Sequence, residues 1–478
     1  MSTESTQPPA ALPLWVRAAD AVAVAFLILG LFVLLLGGFF LHLGPVRLSV
    51  HSPGRLLFVC LGAVAIRHVA WPHVPLHRRV IGWLRAGTEA TPGGIARRAL
   101  VSRISVLLVG YFAVVTVGLA GASESTITGG ALANLPGRFD AGWYTSIALH
   151  GYTFQGRFDR QQNLAFFPAF PVIERAAGYV FGAFAPAVPE ERRIARLLWA
   201  GVIISLIAFA WASVYFWRLA RDTIGEDRAA AAVALLAAYP FAVFFSAAYT
   251  ESLFLLGSIA TVYHFRRSEL GAAAAWGLLV GLTRPNGFFL AVVLGLIFIE
   301  RLRSRAIGQS PNPDVTKSLL AAAAPVAGML VYSAYVHHVT GAWFGWARLH
   351  EAWGRSYGGL APVTRAYGWI TDEGLLQVVE NIPYDTLNSL GFLFALGMVW
   401  PAWRRLGLAY AAFIVINIVP PLLAGGVLSM GRISATLFPM FLALAAVASP
   451  RLVTPLITAF AIGQGFAAVL FFTWRPLF

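Results

Sequence analysis

Long apolar runs separated by short polar connectors dominate the chain. They lie at about 17–42, 54–69, 100–120, 197–217, 230–248, 253–265, 272–283, 287–299, 318–337, 389–400, 407–425, 435–448 and 454–472. Several reach the roughly 20 residues that cross about 30 Å of hydrocarbon as a helix. Shorter or Gly/Pro-interrupted runs are tolerated at that depth only where neighbouring protein satisfies their backbone. The pattern predicts an all-α polytopic membrane protein with about 11–13 transmembrane helices. The first run, "AVAVAFLILGLFVLLLGGFFL" from Ala21, is too long for a signal-peptide core, and further spans follow it.

The connectors carry the topology. "RRVIGWLRAG" and "RRALVSR" lie between the second and third runs; "RLARDTIGEDR" follows the fourth, "RRSE" the sixth, "ERLRSR" the eighth, "WRR" the tenth and "SPR" the twelfth. If the runs alternate as crossings, all of these basic connectors share one side, which the positive-inside rule makes cytoplasmic. A crossing at 164–186 would break that agreement, so this stretch is expected within an outer loop. Residues 121–196 and 338–388 are then the two long outer segments. Residues 1–99 read as a two-span extension with a basic cytoplasmic linker, and 100–478 as the main bundle.

Composition agrees with this class and removes others. The chain is 58% hydrophobic and 12% charged, with a mean hydropathy of +0.72, against about a quarter charged in soluble domains. The net charge of +14 is accounted for by the connectors and does not call for nucleic acid. Cys60 is the lone cysteine, which excludes an intramolecular disulfide and any cysteine-pair zinc or redox site. "GGALANLPG" lacks the lysine and strand context of a phosphate loop. A transferase on this scaffold would take a donor arriving through the lipid phase.

The unusual polar residues collect on the outer side. In "GRFDAGWYTSIALHGY", Asp140, Trp143, Tyr144 and Ile147 have the spacing of a short amphipathic helix. Asp140 suits its N-cap and Gly151 its end; it also suits a pre-positioned catalytic carboxylate. "QNLAFFPAFPVIER" reads as an interfacial segment or a lipid-chain groove, broken by Pro168 and Pro171. Glu251 in "YTES" is either a first-turn helix charge behind a Thr250 cap or a paired functional carboxylate. Arg284 in "TRPNG" and Arg432 in "SMGR" either snorkel to the interface or hold a phosphate through forked donors. The second outer segment, "HHVTGAWFGWARLHEAWGR", suits an aromatic belt, and the adjacent His337 and His338 do not converge as metal ligands.

Five stretches together resemble the PIG-V family of mannosyltransferases: "GRFDAGWYTSIALHGY", "NLAFFPAFPVIER", "YTESLFLLGSIATVYHFRR", "GLLVGLTRPNGFFLA" and "GRISATLFPMFLALA", in that order across about 137–447. Phe139-Asp140 stands where the family has Trp-Asp, keeping the carboxylate and an aromatic. The resemblance implies a GT-C helical bundle with an outer catalytic loop. It also implies transfer of mannose from polyprenyl-phosphate mannose to a lipid-linked or cell-envelope glycan. Asp140 would then be the general base, Arg432 and Arg284 the phosphate ligands, and Glu251 a positioning group. His150, Tyr152 and Asn163 are further candidate substrate contacts. No metal requirement is expected, although a divalent cation stays open because Asp140 could ligate one. The expected setting is a multi-pass membrane protein, in a prokaryote in the plasma membrane, with the site on the extracytoplasmic face. Another polyprenyl-phosphate-sugar transferase, or a transporter or flippase, is the competing reading.

Overall fold

The computed structural model describes residues 13–43, 46–72, 75–76, 78–79, 90–121, 130–306 and 314–477. The chain divides into two compact units, Met1–Thr88 and Glu89–Phe478. The division falls ahead of residue 99 because Pro92 already opens a long helix, capped by the Thr91 side chain on Gly94 N–H at 3.1 Å.

The first unit pairs α1 (Leu14–Leu36) with α2 (Pro53–Ala70). The first apolar run does not stay helical to residue 42. Gly37, with φ 78°, ends α1, and an antiparallel hairpin of β1 (Phe39–Leu43) and β2 (Val46–Val50) follows. Arg67 of α2 meets Asp20 of α1 at 2.9 Å, and Arg79 joins the same carboxylate. Charges within apolar helices persist where they pair in this way.

The second unit is helical among its described residues. It contains α3 (Pro92–Val117), α4 (Ala141–His150), α5 (Ala169–Val180), α6 (Glu190–Ile224), α7 (Glu226–Ala238), α8 (Glu251–Arg266), α9 (Leu270–Gly281), α10 (Leu290–Ala306) and α11 (Val315–Thr340). There follow α12 (Gly345–Leu349), α13 (Ala361–Glu373), α14 (Leu375–Asn381), α15 (Pro383–Leu406), α16 (Leu408–Gly425), α17 (Met430–Ala435), α18 (Phe438–Val447) and α19 (Pro450–Phe472). Each of the thirteen apolar runs overlaps a helix, the first only as far as Leu36. Among the described residues of the whole chain, eight helices are long and apolar enough to cross a membrane. α7 and the 3-10 turn Pro240–Ser246, which meet at 80°, make a ninth if the bent pair is counted as one span. The chain is a multi-pass integral membrane protein. Residues 164–186 fold as a 3-10 turn and the short helix α5, not as a crossing.

The bend leaves carbonyls without partners in a helix ladder, and apolar surroundings require them to be satisfied by other protein groups. Arg103 of α3, wholly buried, donates to the carbonyls of Ala237 and Ala242. Gln464 of α19 accepts from Arg103 at 3.2 Å and donates to the carbonyls of Ala237 and Tyr239 at 2.9 and 2.8 Å. A polar staple thus replaces the missing helix ladder.

Two close backbone approaches set the site's edges. A Cβ at Gly281 would lie 2.0 Å from the Pro325 carbonyl oxygen, so α9 and α11 touch main chain to main chain. This fixes the turn carrying Arg284, as small residues do between membrane helices. A Cβ at Gly391 would lie 2.9 Å from Gly431 Cα, and Asn388 Oδ1 accepts Gly431 N–H at 2.9 Å. Both contacts hold α17, and hence Arg432, against α15.

Candidate active site

Asp140 sits one residue past a strained point. Phe139 has φ 46°, a left-handed conformation that costs a non-glycine residue on the order of 1 kcal/mol or more. The surroundings hold it there. Its ring packs on Trp474 and Phe471, with centroids 4.6 and 5.7 Å away. Buried Arg138 donates to the carbonyls of Phe472 (2.7 Å), Asn134 (2.7 Å) and Gly137 (2.8 Å). The C-terminal segment therefore straps the start of α4. Asp140 N–H donates to Tyr249 Oη at 3.0 Å, and that hydroxyl donates to the Arg138 carbonyl at 3.2 Å.

The carboxylate does not cap α4, for its side chain makes no cap hydrogen bond. It accepts instead from Arg432 Nη1, while Arg432 Nε donates to Glu251 Oε1. Arg284 Nη1 donates to that same Glu251 oxygen. Glu251 is wholly buried, and Asp140 keeps 19% of its side-chain surface exposed. The Arg432 guanidinium lies 4.5 Å over the Tyr249 ring, a further cation contact. Thr250 does not cap α8 either; its hydroxyl lies 3.4 Å from Tyr144 Oη. Snorkelling does not describe the two arginines, since both turn inward onto Glu251.

A cavity of about 610 Å³ opens over this network. Asp140, Tyr144, Arg284 and Arg432 line it together with His350 and Arg355. Its other wall is apolar, with Phe288, Phe289, Pro420, Pro421 and Leu428. Arg355 donates to the Leu428 carbonyl at 3.2 Å. Its guanidinium is brought down to about 10 by burial, then by repulsion from Arg432 and Arg284. His350 is lowered to about 4, first by burial and then by Arg355 and Arg284, so it is neutral near pH 7. Three arginines against two carboxylates (3 − 2) leave one net positive charge at the site. Such a surplus suits an anionic ligand with forked acceptors.

The structure brings Asp140, Glu251, Arg284 and Arg432 into one network, from four separate sequence stretches. It places the other three candidates elsewhere. His150 is half exposed and faces Glu190 at 3.5 Å. Tyr152 donates to the Phe166 carbonyl at 2.8 Å. Asn163 clamps its own loop, accepting from Thr153 N–H and donating to the Gly151 carbonyl, both at 3.0 Å. His350 and Arg355 lie in the aromatic-rich stretch, which reads from sequence as a belt with the adjacent His337 and His338. Tyr249, two residues ahead of Glu251, was likewise missed. Among the described residues, no group of three or more His, Cys, Asp or Glu side chains is placed to hold a metal.

The family model for mannosyltransferase (PIG-V) matches residues 122–342, which include Asp140, Glu251 and Arg284. No curated protein sequence matches the chain. Among solved structures, an oligosaccharyltransferase of Archaeoglobus fulgidus with zinc and sulfate is 13% identical at a TM-score of 0.45; the match covers 78% of this chain and 53% of that one. ArnT from Cupriavidus metallidurans, bound to undecaprenyl phosphate, is 13% identical at 0.44, over 78% and 76%. The oligosaccharyltransferase AglB of Archaeoglobus fulgidus, with an inhibitory peptide and a dolichol-phosphate, is 13% identical at 0.40, over 78% and 56%. The chain spans about half the length of these oligosaccharyltransferases. Residues 122–342, a little under half of the chain, are thus similar to the mannosyltransferase (PIG-V) family.

Proposed function

We propose that the protein transfers mannose from polyprenyl-phosphate mannose to a lipid-linked or envelope glycan, at the outer face of the membrane. One observation carries this reading: a carboxylate and three arginines line one cavity whose other wall is apolar. The arginines suit a phosphate, and the apolar wall suits the chain attached to it. The basic connectors support the outer face.

The reaction is a single displacement. The acceptor oxygen attacks the anomeric carbon as its proton passes to Asp140. A new C–O bond forms, the bond to the phosphate oxygen breaks, and the electron pair leaves on the carrier phosphate. Arg432, Arg284 and Arg355 take up that charge. Arg432 also binds Asp140, so an incoming phosphate competes for the guanidinium and loosens its hold on the base. Glu251 anchors Arg432 and Arg284 throughout. No step calls for a metal, and both carboxylates already hold arginine.

Purified protein should be supplied with labelled polyprenyl-phosphate mannose, glucose or arabinose, or with a nucleotide-linked mannose, together with extracted membrane acceptors. Mannose transfer from the polyprenyl donor, unchanged by a chelator, is the expected result. Efficient transfer from the nucleotide sugar without a polyprenyl carrier overturns the reading.

A further inference from the structure

The second outer segment holds a helix that the rest of the protein leaves uncovered. In α13, Val363, Ala366, Tyr367 and Ile370 fall at i, i+3, i+4 and i+7, which places them on one side. Arg365 and Asp372 fall on the opposite side. No residue of α13 is buried, and Val363, Tyr367 and Ile370 are 44%, 71% and 43% exposed. The apolar surface continues into α14 through Leu375 and Leu376. A water-facing surface loop would not collect so many large apolar side chains on one stripe.

The depth of α13 is set by its anchors. Gly358 N–H donates to the Leu423 carbonyl at 2.8 Å, in the last turn of α16. Pro362 stands 3.2 Å from where a Cβ on Gly426 would be. The 18 residues of α16 rise about 27 Å as a helix, close to the thickness of the hydrocarbon core. The C-terminal end of α16 therefore marks a membrane boundary, and the start of α13 is tied to it. At its other end α14 runs directly into α15. An amphipathic helix held at that level, with tyrosine on its apolar face, has a bilayer interface as its partner.

We propose that α13 and α14 form a strap that lies in the plane of the membrane interface, with Val363, Tyr367 and Ile370 sunk among the lipids. It packs against α16, whose Pro420, Pro421 and Ala424 line the cavity. The proposal does not depend on which sugar is transferred.

Spin labels on single cysteines test it, in a Cys60→Ser background reconstituted into phosphatidylcholine/phosphatidylglycerol nanodiscs. Val363→Cys and Tyr367→Cys probe the apolar stripe; Arg365→Cys and Asp372→Cys probe the other side. Collision with oxygen should exceed collision with an aqueous nickel chelate at 363 and 367, and the order should reverse at 365 and 372. Equal nickel access at all four positions places the helix in water and overturns the proposal. Protection of 363 and 367 from both reagents means a protein partner covers the stripe, which also overturns it. Ile370→Cys and Leu376→Cys supply a second apolar pair, so a label that perturbs one position leaves the outcome decided.

Discussion

Arg103 and Arg432 are both buried arginines over an aromatic ring, Arg103 at 4.8 Å from Phe209 and Arg432 at 4.5 Å from Tyr249. What they donate to separates them. Arg103 donates to backbone carbonyls at a bent pair of helices, beside Gln464. Those partners never move, so the charge serves the fold. Arg432 donates to two carboxylates at the floor of an open cavity. On the proposed reading a phosphate replaces one of them, and the same side chain serves the chemistry. Burial alone does not distinguish a structural cation from a functional one; the exchangeability of its acceptors does.

The comparison is broken most directly at Asp140. Asp140→Asn keeps size and removes the proton acceptor, and Glu251 remains to hold Arg432. Turnover at saturating donor and acceptor should fall roughly 10²–10⁴-fold, the usual worth of general-base help, with the folded yield unchanged. More than half of wild-type turnover would dismiss Asp140 as the base. Arg432→Lys comes next. It keeps the charge, but one ammonium cannot reproduce the fork that reaches Asp140 and Glu251 together. Loss of a donor to developing charge predicts a fall in kcat of about 10²–10³-fold. Arg103→Met should do the opposite. It leaves the Ala242 carbonyl without its donor, at about 1–3 kcal/mol, and the Ala237 carbonyl with Gln464 alone. Detergent-extracted yield and thermal midpoint should drop, while turnover per folded molecule stays near wild type. A variant that folds normally but loses turnover would place Arg103 in the reaction.

Most of the bundle was legible because apolar runs and basic connectors are properties of local sequence. The run at 17–42 was misread at its end, because Gly37 stops the helix with a positive φ that hydropathy does not encode. The four residues of the central network were legible as chemistry out of place, since a carboxylate or arginine at a span end needs a reason. Their pairing was not, because it depends on the glycine contacts that set α9 against α11 and α15 against α17. Arg355 and His350 escaped for a different cause. They lie in the connecting segment 338–388, where charge is ordinary, and only the fold of that segment turns them toward the cavity. His150 and Asn163 show the converse: His150 faces Glu190 at the surface, and Asn163 clamps its own loop.

Glu174 offers the smallest and most discriminating test, because it is a buried charge-bearing group with no ion pair among the described residues. It sits on α5, wholly buried, and accepts from Thr145 Oγ1 of α4 at 2.7 Å. Its neighbour Arg175 turns away to the carbonyl of Ala148 at 2.8 Å. Burial raises the Glu174 carboxyl from 4.5 to about 8, with the Thr145 bond working slightly against that rise. Between those values the folded protein holds a proton that the unfolded chain has released. Stability contributed by this group is therefore full below about pH 4.5 and declines as pH rises toward 8. Glu174→Gln keeps an acceptor for Thr145 and cannot ionise, so it should remove that slope. Thermal midpoints measured from pH 5 to 9 should converge at the acid end and separate at the alkaline end, with the variant the more stable there by a few degrees (about 1 kcal/mol or more). Parallel curves would show that Glu174 carries its charge through a partner, and would move it from the structural class to the one Arg432 defines.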